Sequence, residues 1–132
     1  RIKYLGNYEN IESIIPCADL VIQPSEHESF GLVPLEAMAC RVPVIATASG
    51  GIIEVIEHGV SGYLCEVGDI EHMAQCAVEI LSNPARAAEL GERGYQRAMS
   101  GFRRDDIVTE YEQVYSEVLD MRRPGKAAVL SA

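Results

Sequence analysis

The sequence predicts an α/β fold: a Rossmann-like parallel sheet with helices on both faces, of the doubly wound kind. Three observations lead there. Short apolar runs alternate four times with segments whose apolar residues recur at helical spacing. The runs are continuous in Val, Ile and Leu and do not alternate with polar residues, as strands buried on both faces require. Glycine and proline gather at the junctions between the two kinds of segment.

The elements follow in order. Ile2–Leu5 reads as a short strand stopped by Gly6-Asn7. Asn10 to Cys17 reads as a helix with Ile11, Ile14 and Ile15 on one face. Asp19–Gln23 is a buried strand closed by Pro24. Residues 25–31 form a polar loop ending in Gly31. Leu32 to Cys40 is a helix that tolerates Pro34 in its first turn. Val42–Ala46 is a third strand. Thr47 to Gly51 turns into a helix running through Ile56, ended by His58-Gly59. Tyr63–Cys65 is a fourth strand.

Beyond Gly68-Asp69 the pattern is helical. Ile70, Met73, Ala74, Ala77, Val78 and Leu81 share one helix face. Asn83-Pro84 reads as a cap and first-turn proline, so a second helix starts there. Its small residues Ala87, Gly91, Gly94 and Ala98 imply close packing on a neighbour, and Gly101-Phe102 breaks it. Ile107, Val108, Tyr111, Val114, Tyr115, Val118 and Leu119 form an apolar stripe on a last helix. Arg123-Pro124-Gly125 ends that helix and leaves a loose tail, 124–132.

Composition bounds the function. The 132 residues are one domain or a piece of one; 48% are hydrophobic and 23% charged. Twenty acids against eleven Lys and Arg give a net charge of −9, which argues against nucleic acid and against a polybasic membrane foot. No apolar run approaches the roughly 20 residues that span a bilayer. The chain opens on Arg1 and not on Met, so it is expected to be processed or a fragment. Residues 1–83 hold twelve acids against Arg1, Lys3 and Arg41. An anion bound there must meet backbone N–H groups and helix dipoles, or cations from elsewhere.

Cys17, Cys40, Cys65 and Cys76 form no C-x-x-C pair, and each has apolar or small neighbours. They are expected to be buried, reduced thiols of a cytoplasmic protein. His27, His58 and His72 show no metal-ligand spacing, so no metal is expected.

In open α/β sheets ligands sit beyond the carboxyl ends of the strands. Two loops qualify: Pro24 to Gly31, feeding the helix that holds Glu36, and Thr47 to Gly51, feeding the helix that holds Glu54. Glu36 and Glu54 read as first-turn acids favoured by the helix dipole. Glu28 lies ahead of a helix start and close to Glu26. Carboxylates beside free N–H groups suit a polyhydroxylated ligand; composition leaves a solvated acidic loop equally open. His27 reads as an idle loop histidine before it reads as a base. Ser49-Gly50-Gly51 lacks the Gly-Lys-Ser/Thr of a P-loop.

At these residues the chain resembles a known family. Pro24-Ser25-x-x-Glu28-Ser29-Phe30-Gly31-Leu32-x-x-x-Glu36-Ala37-Met38-Ala39 resembles the Glu-x7-Glu motif of the retaining family 4 glycosyltransferases, which have the GT-B fold. Pro43–Ala46, Gly50-Gly51-x-x-Glu54-Val55-Ile56, Gly62-Tyr63-Leu64 and the Phe102…Tyr111…Tyr115 helix are similar to later blocks of that family. The stretches Ser25–Val33 and Gly62–Asp69 look most like one subgroup, the N-acetylglucosaminyl-L-malate synthases of bacillithiol biosynthesis.

The resemblance implies a nucleotide-sugar-binding domain over 1–123, truncated at its N-terminal side. Its donor would be a UDP-sugar such as UDP-N-acetylglucosamine. Catalytic Glu28 would accept from a donor-sugar hydroxyl and orient the sugar. Ser29 and the amides near Phe30, Gly31 and Leu32 would meet the sugar and its diphosphate. Glu36 would hold the ribose hydroxyls, with no metal and no cofactor. Arg41 departs from the family's usual Gly, and Ile53 from a common Pro. The family's diphosphate-neutralising Arg and Lys have no match here. The isolated chain is therefore expected to be inactive, its acceptor to bind a domain outside it, and its open sheet edge to favour a dimer or strand swap. Rival readings are a family member building polysaccharide or lipid-linked sugars and a non-catalytic binding module.

Overall fold

The computed structural model describes residues 2–8 and 10–121 and divides into two compact units, Arg1–Ser100 and Gly101–Ala132. In the first unit β1 (Val21–Gln23), β2 (Val44–Thr47) and β3 (Tyr63–Cys65) form a parallel sheet in the order β1-β2-β3. Val21, Ile22 and Gln23 pair with Val44, Ile45 and Ala46; Ile45, Ala46 and Thr47 pair with Tyr63, Leu64 and Cys65. All four residues of β2 are buried. Successive side chains point to opposite faces of a sheet, so both faces are covered at its centre. Helix α2 (Leu32–Ala39) packs on β1 and β2, and α4 (Ile70–Ser82) on β2 and β3. The expected α/β architecture is thus present. Among the described residues the strand order runs in sequence, without the reversal that the doubly wound expectation includes.

One core cluster joins Ile45, Tyr63 and Cys65 of the sheet to Cys76 and Ile80 of α4 and Leu90 of α5 (Pro84–Gly101). Ile45, Ile80 and Leu90 are fully buried, and each such side chain stabilises the fold by about 1.5–3 kcal/mol. The packing face of α4 differs from the expected one. Cys76 and Ile80 are buried and Met73 and Ala77 pack beside them, whereas Ile70, Val78 and Leu81 are exposed. The buried face, through Met73, Cys76, Ala77 and Ile80, lies one residue off the expected stripe; both stripes are apolar, and contact with β3 and Leu90 decides between them.

The small residues of α5 do pack closely. A Cβ on Gly91 would stand 2.3 Å from the Arg41 carbonyl oxygen, and one on Gly94 would stand 3.2 Å from Met38 Cγ. Asn83 Oδ1 accepts from the Arg86 N–H at 3.1 Å, the expected cap. Two arginines of α5 hold loop carbonyls. Arg86 Nη2 donates to Gly59 O at 2.8 Å, and Arg97 donates to Val55 O at 2.6 Å and Glu54 O at 2.7 Å. Those last two carbonyls belong to α3 (Ile52–Val55), a single turn that stops at Ile56 and not at His58-Gly59. His58 instead bridges to Gly62, and its Nδ1 accepts from the Leu64 N–H.

Arg41 explains itself in the fold. It takes a left-handed φ of 60° just past α2. Its N–H donates to Met38 O and that of Val42 to Ala37 O, the two bonds of a Schellman close. Glycine is the usual residue there. Here the guanidinium compensates: Nε bonds Glu92 at 2.9 Å and Cζ lies 3.5 Å from the Tyr95 ring centroid.

Two other expectations are corrected. Ile2–Leu5 forms no strand: Ile2 and Tyr4 are exposed and pair with no described strand. A three- or four-residue strand needs neighbours to satisfy its backbone, and among the described residues β1 pairs on its β2 side only. The helix expected over 10–17 splits into α1 (Ile11–Ile14) and a 3₁₀ turn, Ile15–Cys17, because Pro16 has no N–H for the α-helical ladder. Cys17 is exposed and Cys40 half-buried, unlike the buried Cys65 and Cys76. In the second unit α6 (Arg104–Met121) carries the apolar stripe and buries none of it. The expected tail, 124–132, lies outside the described residues.

Gly91→Ala tests the α5 contact. A methyl group against backbone oxygen is expected to cost about 1–3 kcal/mol, read as a lower urea midpoint. Gly101→Ala, where a Cβ meets nothing within 4 Å, should leave the midpoint in place or raise it.

Candidate functional site

The site is built where β1 runs out. Gln23 ends that strand, and its Nε2 donates to Ser25 Oγ and to Glu28 Oε2, both at 3.0 Å. Glu28 Oε1 accepts from the Ser29 N–H at 3.0 Å and the Phe30 N–H at 3.5 Å. The carboxylate therefore sits over successive backbone amides, an anion-holding nest. Burial pushes the Glu28 carboxyl up; the amides of Phe30, Ser29 and Gly31 and the Gln23 side chain outweigh it, so its pKa rests below the ordinary glutamate value. Gly31, with φ 97°, then turns the chain into α2. A Cβ at Gly31 would stand 2.9 Å from Ile52 Cγ1. The first amides of α2, Leu32 and Val33, have no helical acceptor by construction, and α2 aims its positive end at this loop.

A second loop, 48–51, backs the first. Thr47 Oγ1 donates to Ser25 O, and Ser49 Oγ donates to Glu26 O at 2.8 Å. A Cβ on Gly50 would fall 1.6 Å from Glu28 O; one on Gly51 would fall 2.7 Å from Ser29 O. Only glycine permits that approach, and Gly50 also needs its φ of 55°. A cavity of about 240 Å³ opens beside these loops at the carboxyl ends of the strands, lined among others by Pro24, Glu26, Thr47, Glu66 and Asp69.

The expected site residues fall into place unevenly. Glu28, Ser29, Phe30, Gly31 and Leu32 lie together between β1 and α2. Glu36 is exposed and stands a full turn inside α2, not in its first turn. Glu54 is in the first turn of α3, but that helix is one turn long and offers little dipole. His27 is exposed. The Phe30 amide, one of those expected to face a ligand, is taken up by Glu28 in this arrangement, as is the amide of Ser29. Thr47 and Ser49 belong to the second expected loop, where they brace the first, and Gln23 lies outside both expected loops. The signal for Gln23 was a lone polar residue closing an apolar strand.

A further cluster was unforeseen. The ligand atoms of Cys65, His72 and Cys76 lie within 4.8 Å of one another. Burial pushes the Cys65 thiol up to about 11, with Cys76 adding to it, and burial raises that of Cys76 as well.

Comparison with known proteins assigns the class. A family model described as glycosyl transferases group 1 matches residues 1–97, and the chain belongs to that family. It is 45% identical over 126 residues to the N-acetyl-alpha-D-glucosaminyl L-malate synthase of Bacillus anthracis, covering 96% of this chain and 33% of that protein. Among solved structures, Anabaena Alr3699/HepE, determined in complex with UDP and with UDP-glucose, superposes with a TM-score of 0.80 at 30% identity. The match covers 91% of this chain and 32% of that one. Sucrose-phosphate synthase from Thermosynechococcus elongatus gives 0.77 at 34% identity, over 81% of this chain and 27% of that one. The chain spans about a third or less of the length of these relatives. The glycosyltransferase resemblance and the GT-B kinship drawn from the Glu-x7-Glu block are borne out. No helix among the described residues is long and apolar enough to cross a membrane.

Carbon-detected titration should show the Glu28 carboxyl with a midpoint below those of exposed glutamates, and Gln23→Leu should move it up. The sign follows from the depressed folded pKa: the stabilisation is complete above the unfolded-state value and is lost as pH falls through the folded one.

Proposed function

We propose that the chain is the donor-binding part of a retaining glycosyltransferase that takes a nucleoside-diphosphate sugar, UDP-N-acetylglucosamine in particular. The domain spans 1–123 on this reading. The observation that carries it is the Glu28 carboxylate held over the loop amides at the positive end of α2, eight positions before Glu36. Such a place provides both parts a sugar diphosphate needs: carboxylate acceptors for hydroxyls and amide donors for phosphate oxygens. Glu28 orients the sugar by accepting from a hydroxyl. When the donor enters, the amides of Phe30 and Gly31 pass from the Glu28 carboxylate to the ligand, the Leu32 amide at the start of α2 joins them, and Ser29 lines the same turn. Glu36 accepts from the ribose hydroxyls. The uridine choice is supported by the UDP complexes of the Anabaena protein, and the N-acetylglucosamine by the 45% identity to the malate synthase.

Transfer needs cations to neutralise the diphosphate and an acceptor site. Both are assigned to protein outside this chain, so the chain alone is inactive, with a small molecule or glycan as acceptor in the whole enzyme. A cytoplasmic setting, in which Cys65 and Cys76 stay reduced, belongs to the reading. The open edge of β1 supports self-association when the chain stands alone.

The test is made in the whole protein. Glu28→Gln should lower kcat with UDP-N-acetylglucosamine about 10- to 100-fold, and Glu36→Gln should raise the donor KM by a similar factor with less effect on kcat. Unchanged kinetics in both variants would remove Glu28 and Glu36 from the donor site, and absence of transfer by the whole protein would leave the non-catalytic binding module. Product formed by the isolated chain would overturn its assignment as a half-site.

A further inference from the structure

The proposal concerns Cys65, His72 and Cys76. Cys65 closes β3, and His72 and Cys76 stand four residues apart on α4, hence on one helix face. The register of β3 against α4 brings the two thiols and the imidazole together, with all three ligand atoms within 4.8 Å of one another. Both sulfurs are buried, at 1% and 5% residue exposure, and the half-buried His72 supplies the side open to solvent. The N–H of His72 donates to Asp69 Oδ1 at 3.0 Å, which fixes the first turn of α4 and the height of His72 on it.

We propose that these three residues form a binding site for Zn²⁺. In a tetrahedral zinc site, bonds of about 2.3 Å to sulfur and 2.0–2.1 Å to nitrogen place ligand atoms roughly 3.4–3.8 Å apart. The trio, within 4.8 Å, needs a contraction of at most about 1.0–1.4 Å, within the reach of side-chain torsions. Two sulfurs and one imidazole nitrogen select a thiophilic ion over Mg²⁺ or Ca²⁺, which take oxygen. Three protein ligands leave the fourth position to water on the His72 side. Binding deprotonates both thiols, so two protons pass to solvent for each ion bound. The ion pins the end of β3 to α4. Cys65 is also the residue whose carbonyl accepts from the Ala48 N–H at 2.8 Å, at the head of the loop that backs Glu28. The ion is thereby set under the loop pair, tying β3 to α4 while its fourth position stays with water.

The experiment uses the whole protein, reduced and dialysed against chelator, titrated with Co²⁺ as a spectroscopic stand-in. One equivalent should bind with an intense near-ultraviolet thiolate-to-cobalt band that Zn²⁺ removes. His72→Gln should weaken Co²⁺ binding by about 10- to 100-fold, and Cys76→Ala should abolish the band. Cys17→Ala and Cys40→Ala should leave it. Zn²⁺ should raise the melting temperature of the parent and not of His72→Gln. His72 is half-exposed, so that variant carries the test if Cys76→Ala fails to fold. Absence of the band in the reduced parent protein, or its survival in the Cys65→Ala, Cys76→Ala double variant, would overturn the proposal.

Discussion

The contact on which the rest depends is backbone against backbone. Gly50 and Gly51 lie so close to the carbonyls of Glu28 and Ser29 that no side chain fits between. Loop 48–51 thereby becomes the floor on which loop 24–31 rests. Thr47 and Ser49 add hydroxyl bonds to the carbonyls of Ser25 and Glu26, so the upper loop is held at several points along its length. A carboxylate on a free loop would wander. Glu28 is held instead by Gln23 from the strand side and by its own following amides. Precision in a loop site comes from such support and not from the loop itself.

The support continues downward through α5. Its glycines let it lie against the Arg41 carbonyl and Met38, at the far end of α2. Its arginines take the loop carbonyls at Gly59, Glu54 and Val55. A one-turn helix such as α3 leaves its last carbonyls unpaired, and Arg97 answers two of them. The arginines of the C-terminal third, which look from composition like a counterweight to an acidic front, include two that serve as carbonyl clamps. The charge balance of the chain and the shape of its loops are thus partly the same fact.

What was legible in the sequence follows from the range of the forces involved. The strands at Val21–Gln23, Val44–Thr47 and Tyr63–Cys65 showed because continuous apolar runs bury on both faces. The glycines of α5 showed because small residues at helical spacing have few other uses. The Glu28 loop showed through a motif whose spacing is itself the signal. Ile2–Leu5 was misread because strand formation is decided by a neighbour, which a local apolar run does not reveal. The α4 face is ambiguous in the sequence because two adjacent stripes, one through Ile70 and Leu81 and one through Cys76 and Ile80, are both apolar. The Cys65–His72–Cys76 cluster was invisible because its members meet through the register of a strand on a helix, a long-range property. Gln23 shows in the sequence only as a lone polar residue closing an apolar strand, and Thr47 acts through a bond to a loop carbonyl far away in the chain, which composition does not reveal.

The turn at Arg41 carries a consequence for how such a chain can change over time. Its left-handed backbone favours glycine, while its guanidinium is engaged by Glu92 and Tyr95 on another helix. The three positions are therefore epistatic. Glycine at 41 relieves the backbone yet strands its two former partners, and replacement of Glu92 or Tyr95 leaves the arginine strained without compensation. Lineages are expected to hold either the glycine or the arginine with its partners, and to cross between them by paired steps.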